Sequence, residues 1–246
     1  MADKFVLRLK KWMLLFVILV VPYLIVQVVE NSTHKILSLG YLERTILDMD
    51  SLNNPYEKLD SARVPSFKLI NQDQQYVTSQ DLIGTNYVVN FFFTSCPTIC
   101  PSTTLNLIEL QKKINNYGID DFKILSISID PNNDTPQKLK QYAVSMGVDL
   151  SNWELLTGSK EEIYNIVQSG FHLPVGQDSL APGGLFHSPS VSIVDSYGYI
   201  RTGLDKKKNI KFVYDGTLYS DIKLLVGEIQ RLSITQFKDN YDIEKR

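Results

Sequence analysis

Residues 87–101, YVVNFFFTSCPTICP, join a nearly unbroken apolar run to the only two cysteines in the chain, Cys96 and Cys100. The apolar run is rich in β-branched and aromatic residues, which is typical of a central strand covered on both faces. The residues after Cys100 carry apolar side chains at close to helical spacing up to Gly118, which predicts a helix. The sequence therefore predicts that both cysteines lie at a strand-to-helix junction.

Working outward from this stretch, strand and helix patterns alternate and end in an antiparallel hairpin and a last helix, which predicts an α/β fold with a mixed central sheet flanked by helices. The predicted strands are at 67–70, 76–78, 87–93, 124–129, 153–156, 190–194 and 199–202, and the predicted helices at 102–117, 136–147, 160–169 and 218–232. Residues 171–186, rich in Gly and Pro, predict a loop.

The composition is that of an ordinary folded protein. The chain has 246 residues, of which 43% are hydrophobic and 21% charged, enough for one domain with appendages. Its formal net charge of -2 gives no strongly basic field, so nothing in the composition favours nucleic acid as a partner.

The N-terminus predicts a single membrane anchor. Four basic residues lie in residues 1–11, and residues 12–29 form an apolar run about as long as a membrane-spanning helix. The positive-inside rule places residues 1–11 in the cytoplasm and the rest on the outer side of a bacterial cytoplasmic membrane. A cleaved signal peptide is the alternative, although the run is longer than the usual signal and no cleavage pattern follows. Residues 30–61 predict a linker with a short helix near 37–47, residues 62–232 the folded domain, and residues 233–246 a tail.

The cysteine spacing favours a functional pair. If the helix begins between Cys96 and Cys100, both sulfurs face one side of its first turn, where backbone N–H groups favour thiolates. Such a pair suits a soft metal ion or disulfide exchange. Buried inert thiols or a stabilising disulfide are the alternatives, but a loop this short gains little stability from closure entropy.

A metal site needs further ligands, and the chain has three histidines. His34 lies just past the apolar run and is interpreted as solvated, and His172 is interpreted as structural. His187 directly precedes a predicted strand, at a position expected near the cysteine end of the sheet. A hydrogen-bonded structural role is its alternative. Two thiolates and one imidazole suit Cu(I), or Cu(II) with a further donor, whereas a closed zinc site normally has a fourth protein ligand.

Three features together resemble the Sco/SenC family: FTSCPTICP at 93–101, SIDPNNDTP at 128–136, and His187 ahead of a strand and a Tyr-Gly turn. The resemblance covers about 170 residues and the membrane anchor. It implies a thioredoxin-like domain that binds one copper ion through Cys96, Cys100 and His187. It also implies that Asp130 lies near the site and tunes it without binding metal, the alternative being a turn residue ahead of Pro131.

The resemblance further implies a copper chaperone, which delivers copper or reducing equivalents to the binuclear copper centre of cytochrome c oxidase. Its expected partners are the copper-bearing oxidase subunit, other copper chaperones and thioredoxin-like reductases. The chain departs from the family pattern at Thr98, where many members have Asp, and residues 173–186 and 206–217 do not align cleanly. The alternative function is an extracytoplasmic thiol-disulfide oxidoreductase or peroxidase that uses the Cys96/Cys100 pair, with His187 structural.

Overall fold

The computed structural model describes residues 16, 20–24, 39–49, 55–178, 180–204 and 209–244. It divides into two compact units, Met1–Ser38 and Leu39–Arg246. In the first unit, the described residues 16 and 20–24 have helical backbone. The predicted cytoplasmic segment 1–11 and most of the predicted anchor 12–29 lie outside the described residues. Among the residues that are described, none belongs to a helix long and apolar enough to cross a membrane.

The second unit contains strands and helices in alternation. The strands are β1 Gly40–Tyr41, β2 Glu43–Met49, β3 Pro55–Ser61, β4 Lys68–Asn71, β5 Tyr76–Thr78, β6 Asn86–Phe92, β7 Phe122–Ser128, β8 Trp153–Thr157, β9 Gly176–Gln177, β10 Leu185–Phe186, β11 Ser190–Val194, β12 Ile200–Leu204, β13 Ile210–Lys211 and β14 Tyr214–Asp215. The helices are α1 Ile99–Asn116, α2 Pro136–Met146, α3 Lys160–Asn165 and α4 Tyr219–Glu244. Short 3₁₀ turns occur at Ser79–Leu82 and Pro182–Gly184.

The main sheet is mixed, in the order β1-β12-β11-β6-β7-β8-β4-β5. Strands β6, β7 and β8 run parallel, while β11 pairs antiparallel with β6 and β4 pairs antiparallel with β8. The pairs β2–β3 and β9–β10 form two separate two-stranded sheets. The predicted α/β layout with a mixed central sheet is confirmed.

Strand β6 forms the centre of the sheet because its sequence suits burial on both faces. All seven of its residues are buried. Its polar residue Asn90 is paired, since Ser126 Oγ donates to Asn90 Oδ1 at 2.6 Å and Trp153 Nε1 donates to Ser126 Oγ at 2.9 Å. Buried polar groups that lack such partners destabilise a core, so this chain of hydrogen bonds allows a polar residue in the central strand.

Local signals set the helix ends. Thr135 caps α2 by accepting a hydrogen bond from the N–H of Lys138, and the helix ends at Gly147, which has a φ of 73°. Ser159 caps α3 in the same way through Glu162. The predicted helix 160–169 is α-helical only to Asn165 and continues as a π-helical turn, Ile166–Gly170.

Three predictions outside the core are corrected. The short helix near 37–47 is wrong, because β1 pairs with β12 and the buried Arg201 donates hydrogen bonds to the carbonyls of Leu39 and Gly40. These contacts override the weak helical pattern. The loop 171–186 contains the β9–β10 hairpin. Helix α4 runs to Glu244, twelve residues past the predicted end at 232. The domain boundaries at 30, 62 and 233 stay predictions.

Candidate metal site

The cysteines lie where β6 passes into α1, as predicted. The loop 93–98 follows the strand, and α1 begins at Ile99, so Cys100 belongs to the first helical turn and Cys96 to the loop. The Cys96 N–H donates to the carbonyl of Phe93 at 3.2 Å, which turns the loop back toward the strand end. Cys96 is 7% exposed and Cys100 2% exposed, and both are free thiols.

His187 reaches the cysteines from a distant part of the chain. It lies between β10 and β11, and its Nε2 atom is 3.4 Å from Cys100 Sγ. Its Nδ1 atom is 3.1 Å from the carbonyl oxygen of Ser188. Because a carbonyl can only accept, Nδ1 carries the proton and Nε2 presents its lone pair to the sulfur side. The Phe93 ring packs edge-on against the imidazole, with centroids 5.4 Å apart, and fixes its plane.

The three side chains form a compact donor set. One ligand atom from each of Cys96, Cys100 and His187 lies within 4.8 Å of the others. Metal–sulfur and metal–nitrogen bonds of about 2.3 and 2.1 Å place the donors of a single ion about 3.5 to 4 Å apart. The set therefore fits one metal ion after a small contraction. Within the described ranges it is the only group of at least three His, Cys, Asp or Glu side chains with this geometry.

The two thiols differ in acidity. Burial raises the pKa of Cys100, and the neighbouring Cys96 sulfur and the Asp134 carboxylate raise it further. Burial also tends to raise the pKa of Cys96. Hydrogen bonds from the Thr98 backbone and from Cys100 outweigh this effect and lower the pKa of Cys96 below the ordinary thiol value. Cys96 is therefore the more acidic thiol of the reduced pair, and metal binding at both sulfurs displaces the proton of Cys100.

The imidazole of His187 is neutral at neutral pH. Burial lowers its pKa, and the hydrogen bond to the Ser188 carbonyl only partly opposes that shift. A neutral imidazole is the form that binds a metal. Two sulfur donors, of which Cys96 is the more acidic, and one neutral imidazole are thus available, and their soft and borderline donor atoms suit copper.

Of the other predicted residues, the structure places His172 and Asp130 outside this cluster. His34 lies outside the described residues. His172 is exposed and sits just after the π-helical turn with a φ of 53°. The Asp130 carboxylate accepts two hydrogen bonds from Asn133 Nδ2, at 3.0 and 2.9 Å, within its own turn. Its tuning role stays a prediction.

Sequence reasoning missed the residue that supports the cysteine loop, Asp134. Its side chain is fully buried, and it accepts hydrogen bonds from Thr94 N–H at 2.9 Å, Thr94 Oγ at 2.5 Å and Ser128 Oγ at 2.6 Å. The signal was present in the motif at 128–136, which has a second aspartate directly ahead of the helix cap Thr135. Two aspartates, Asp130 and Asp134, follow the buried strand, and the sequence alone does not show which side chain points into the protein.

The segment before His187 lies against the cysteine loop. A Cβ atom at Gly183 would meet Phe93 Cε2 at 2.7 Å and Pro97 Cδ at 3.6 Å, and Gly183 has a φ of 82°. Both the close approach and the left-handed backbone require glycine. The turn Pro182–Gly184 therefore rests on the residues that flank Cys96.

The sequence matches a known family over most of the folded unit. A family model described as SCO1/SenC matches residues 56–218. The SCO1 protein homolog of Bacillus subtilis (strain 168) is 34% identical over 165 residues, which cover 65% of this chain and 81% of that relative.

Solved structures share the fold. A SCO1/SenC family lipoprotein from Bacillus anthracis strain Ames matches with a TM-score of 0.60 and 31% identity, over 70% of this chain and 95% of the other. BsSco, a member of the Sco family of cytochrome c oxidase assembly proteins in which a disulfide switch was identified, matches with a TM-score of 0.58 and 30% identity, over 70% and 94%. Arabidopsis thaliana ScoI with copper bound matches with a TM-score of 0.54 and 25% identity, over 69% and 99%.

Proposed function

This chain belongs to the SCO1/SenC family, and on that premise we propose that it is a copper metallochaperone that delivers copper to the copper-bearing subunit of cytochrome c oxidase. The observation that carries the proposal is the convergence of Cys96, Cys100 and His187 within 4.8 Å. Arabidopsis ScoI has been solved with copper bound, which supports copper binding. BsSco belongs to a family of cytochrome c oxidase assembly proteins, which supports delivery to the oxidase.

In this proposal each residue has a distinct task. Cys96 is the first sulfur donor, because its lowered pKa makes it the thiolate of the reduced pair. Cys100 is the second donor and releases its proton when copper arrives. His187 closes the set through Nε2, with Nδ1 held by the Ser188 carbonyl. Copper is the cargo, and when bound it is held by soft and borderline ligands in either oxidation state.

Three protein ligands favour transfer over permanent storage. A partner thiolate or imidazole can join the coordination sphere and replace the protein donors one at a time. Other copper chaperones are the expected donors of copper. Thioredoxin-like reductases are the expected source of electrons that keep Cys96 and Cys100 reduced, since a disulfide between them removes two donors.

We also propose that residues 12–29 anchor the domain in a bacterial cytoplasmic membrane, with residues 1–11 inside. The basic residues before the apolar run support this orientation. The Bacillus anthracis relative is a lipoprotein, which supports a membrane-bound site of action for that relative. Insertion of a tag at either end of the full-length protein, followed by protease protection in spheroplasts, tests the orientation.

A thiol-disulfide oxidoreductase is the second candidate. The unequal acidity of Cys96 and Cys100 favours it, because a nucleophilic thiolate beside a protonated thiol is the arrangement that disulfide exchange uses. In that function His187 would only support the cysteine loop.

The His187→Ala variant separates the two functions. We expect its copper affinity to fall by about 100-fold or more, since a lost ligand outweighs the 10- to 100-fold effect of a lost supporting contact, and we expect copper delivery to the oxidase to be lost while reduction of small disulfides continues. His172→Ala is the matched control, because this exposed histidine lies outside the cluster. X-ray absorption of the parent protein should show one copper bound by two sulfurs and one imidazole. If His187→Ala binds and delivers copper as the parent does, the ligand role of His187 is wrong.

A further inference from the structure

The buried carboxylate of Asp134 links the two chain segments that form the floor of the site. It lies in the loop between β7 and α2, and its partner Thr94 lies two residues ahead of Cys96. Both the N–H and the hydroxyl of Thr94 donate to it, so both the backbone and the side chain of Thr94 are held. Ser128, the last residue of β7, donates a third hydrogen bond and fixes the carboxylate to the sheet.

Three donors converge on the Asp134 carboxylate, and hydrogen bonds to a charged group are stronger than those between neutral groups. The nearest cation in the described part of the chain is Lys138, whose Nζ atom is 3.6 Å from Asp134 Oδ1 and whose side chain is 42% exposed. Solvent screens such a lysine, so the carboxylate is only partly neutralised.

The carboxylate of Asp134 lies beside the cysteine loop, because it accepts a hydrogen bond at 2.9 Å from the N–H of Thr94, two residues ahead of Cys96. A fixed negative charge near a metal site stabilises a doubly charged ion more than a singly charged one, because the Coulomb energy scales with the charge.

We propose that Asp134 is a positioning residue for the copper site, which holds the start of the cysteine loop in place and biases the site toward Cu(II) over Cu(I). The inference rests on the proposed copper-binding function. The resemblance to the Sco/SenC family implied a tuning role for Asp130, whereas the contact with the cysteine loop is made by Asp134.

The first test uses the metal-free, full-length protein. Asp134→Asn keeps the shape of the side chain and removes its charge, and we expect amide hydrogen exchange in a peptide spanning 93–99 to accelerate at least about fivefold. Asp195→Asn is the matched control. Asp195 is 3% exposed, pairs with Arg201 at 2.9 Å and accepts N–H bonds from its own turn, at the opposite end of β11 from His187. The Asp195→Asn protein should be less stable than the parent, but amide hydrogen exchange in the cysteine loop should not change.

The second test measures the ratio of Cu(II) to Cu(I) affinity by competition with chelators. Asp134→Asn should lower this ratio about tenfold, the factor that one pKa unit of differential interaction represents. Lys138→Gln should raise it about twofold, since it removes an exposed countercharge. Thr94→Val removes one donor and keeps the charge, so it should accelerate loop exchange and leave the ratio unchanged. If Asp134→Asn does not fold, Thr94→Val still tests the effect on loop exchange and Lys138→Gln still tests the effect on the affinity ratio.

The proposal is overturned if Asp134→Asn changes neither loop exchange nor the affinity ratio, or if Asp195→Asn changes both to the same extent. A parent protein that binds no copper would contradict the proposed function, and loop exchange in the metal-free variants then decides alone whether Asp134 positions the loop.

Discussion

The two segments that supply the candidate ligands differ in almost every structural property. The cysteine segment, residues 86–100, begins in a strand with seven buried residues and ends in the first turn of an 18-residue helix. In the histidine segment, residues 171–189, the described residues contain only two-residue strands and have left-handed backbone at three positions, and Leu180 is 93% exposed. The site therefore joins a fixed half, set by the core, to a half that few buried contacts hold in place.

In the proposed function, this difference suggests that the cysteine segment and the histidine segment have separate roles. The fixed half keeps the two sulfurs in one geometry, so the site can accept copper with only a small contraction of the donor set. The histidine half can separate from the sulfurs at a smaller energetic penalty, which suits release of the ion to a partner. The following experiments test whether the two halves behave so differently.

The largest expected effect is the loss of copper binding when the fixed half loses a donor. Cys100→Ser should weaken copper binding by more than about 100-fold, since a lost ligand outweighs the 10- to 100-fold effect of a lost supporting contact. Copper titration of the full-length protein in detergent measures it. Ser102→Ala, on the exposed side of the same helical turn, is the control. Retained copper affinity in Cys100→Ser would place the site elsewhere.

The next effect concerns stability. Leu107→Ala in α1 should lower the free energy of unfolding by about 2 to 5 kcal/mol, because Leu107 is fully buried. Leu180→Ala in the histidine segment should change it by less than about 0.5 kcal/mol. Urea unfolding of both variants gives the comparison. Equal losses in the two variants would show that the histidine segment is as firmly packed as the core.

A smaller effect separates the two thiols of the reduced, metal-free protein. Cys96 has a lowered pKa and Cys100 a raised one, so between pH 7 and 8.5 the thiolate resides mainly on Cys96. Iodoacetamide should alkylate Cys96 at least about tenfold faster than Cys100, since the thiolate is the nucleophile. Peptide mass spectrometry at several times identifies the labelled residue. Faster labelling of Cys100 would reverse the assigned acidities.

The smallest effect tests the contact between the halves. Gly183→Ala should lower the free energy of unfolding by about 1 kcal/mol because of its positive φ, and it should weaken copper binding about threefold because its methyl group meets Phe93. Gly118→Ala is the matched control, since Gly118 has a φ of 66° with no atom within 4 Å of the added Cβ. The interpretation fails if both variants bind copper equally well.

The fold was predictable from sequence where the hydrophobic pattern is strong. Strands β6 and β7 and helix α2 lie within two residues of their predicted ends, because burial on both faces and a Thr-Pro start leave few alternatives. The segment 39–49 was misjudged, since β1 depends on Arg201, about 160 residues away, and β2 depends on pairing with β3. The hairpin β9–β10 was also missed, because two-residue strands carry no periodicity.

The sequence by itself determined the chemistry of the site: two soft donors at a strand-to-helix junction, with His187 as the candidate third. Residue type and position suffice for that, because both cysteines stand between an apolar strand pattern and a helical pattern. Only the tertiary structure decided that Nε2 of His187 lies 3.4 Å from Cys100 Sγ and that Asp134 binds Thr94 at the start of the cysteine loop. Both outcomes depend on how β7 and β11 pair with β6, and pairing across the sheet is a property of the whole core.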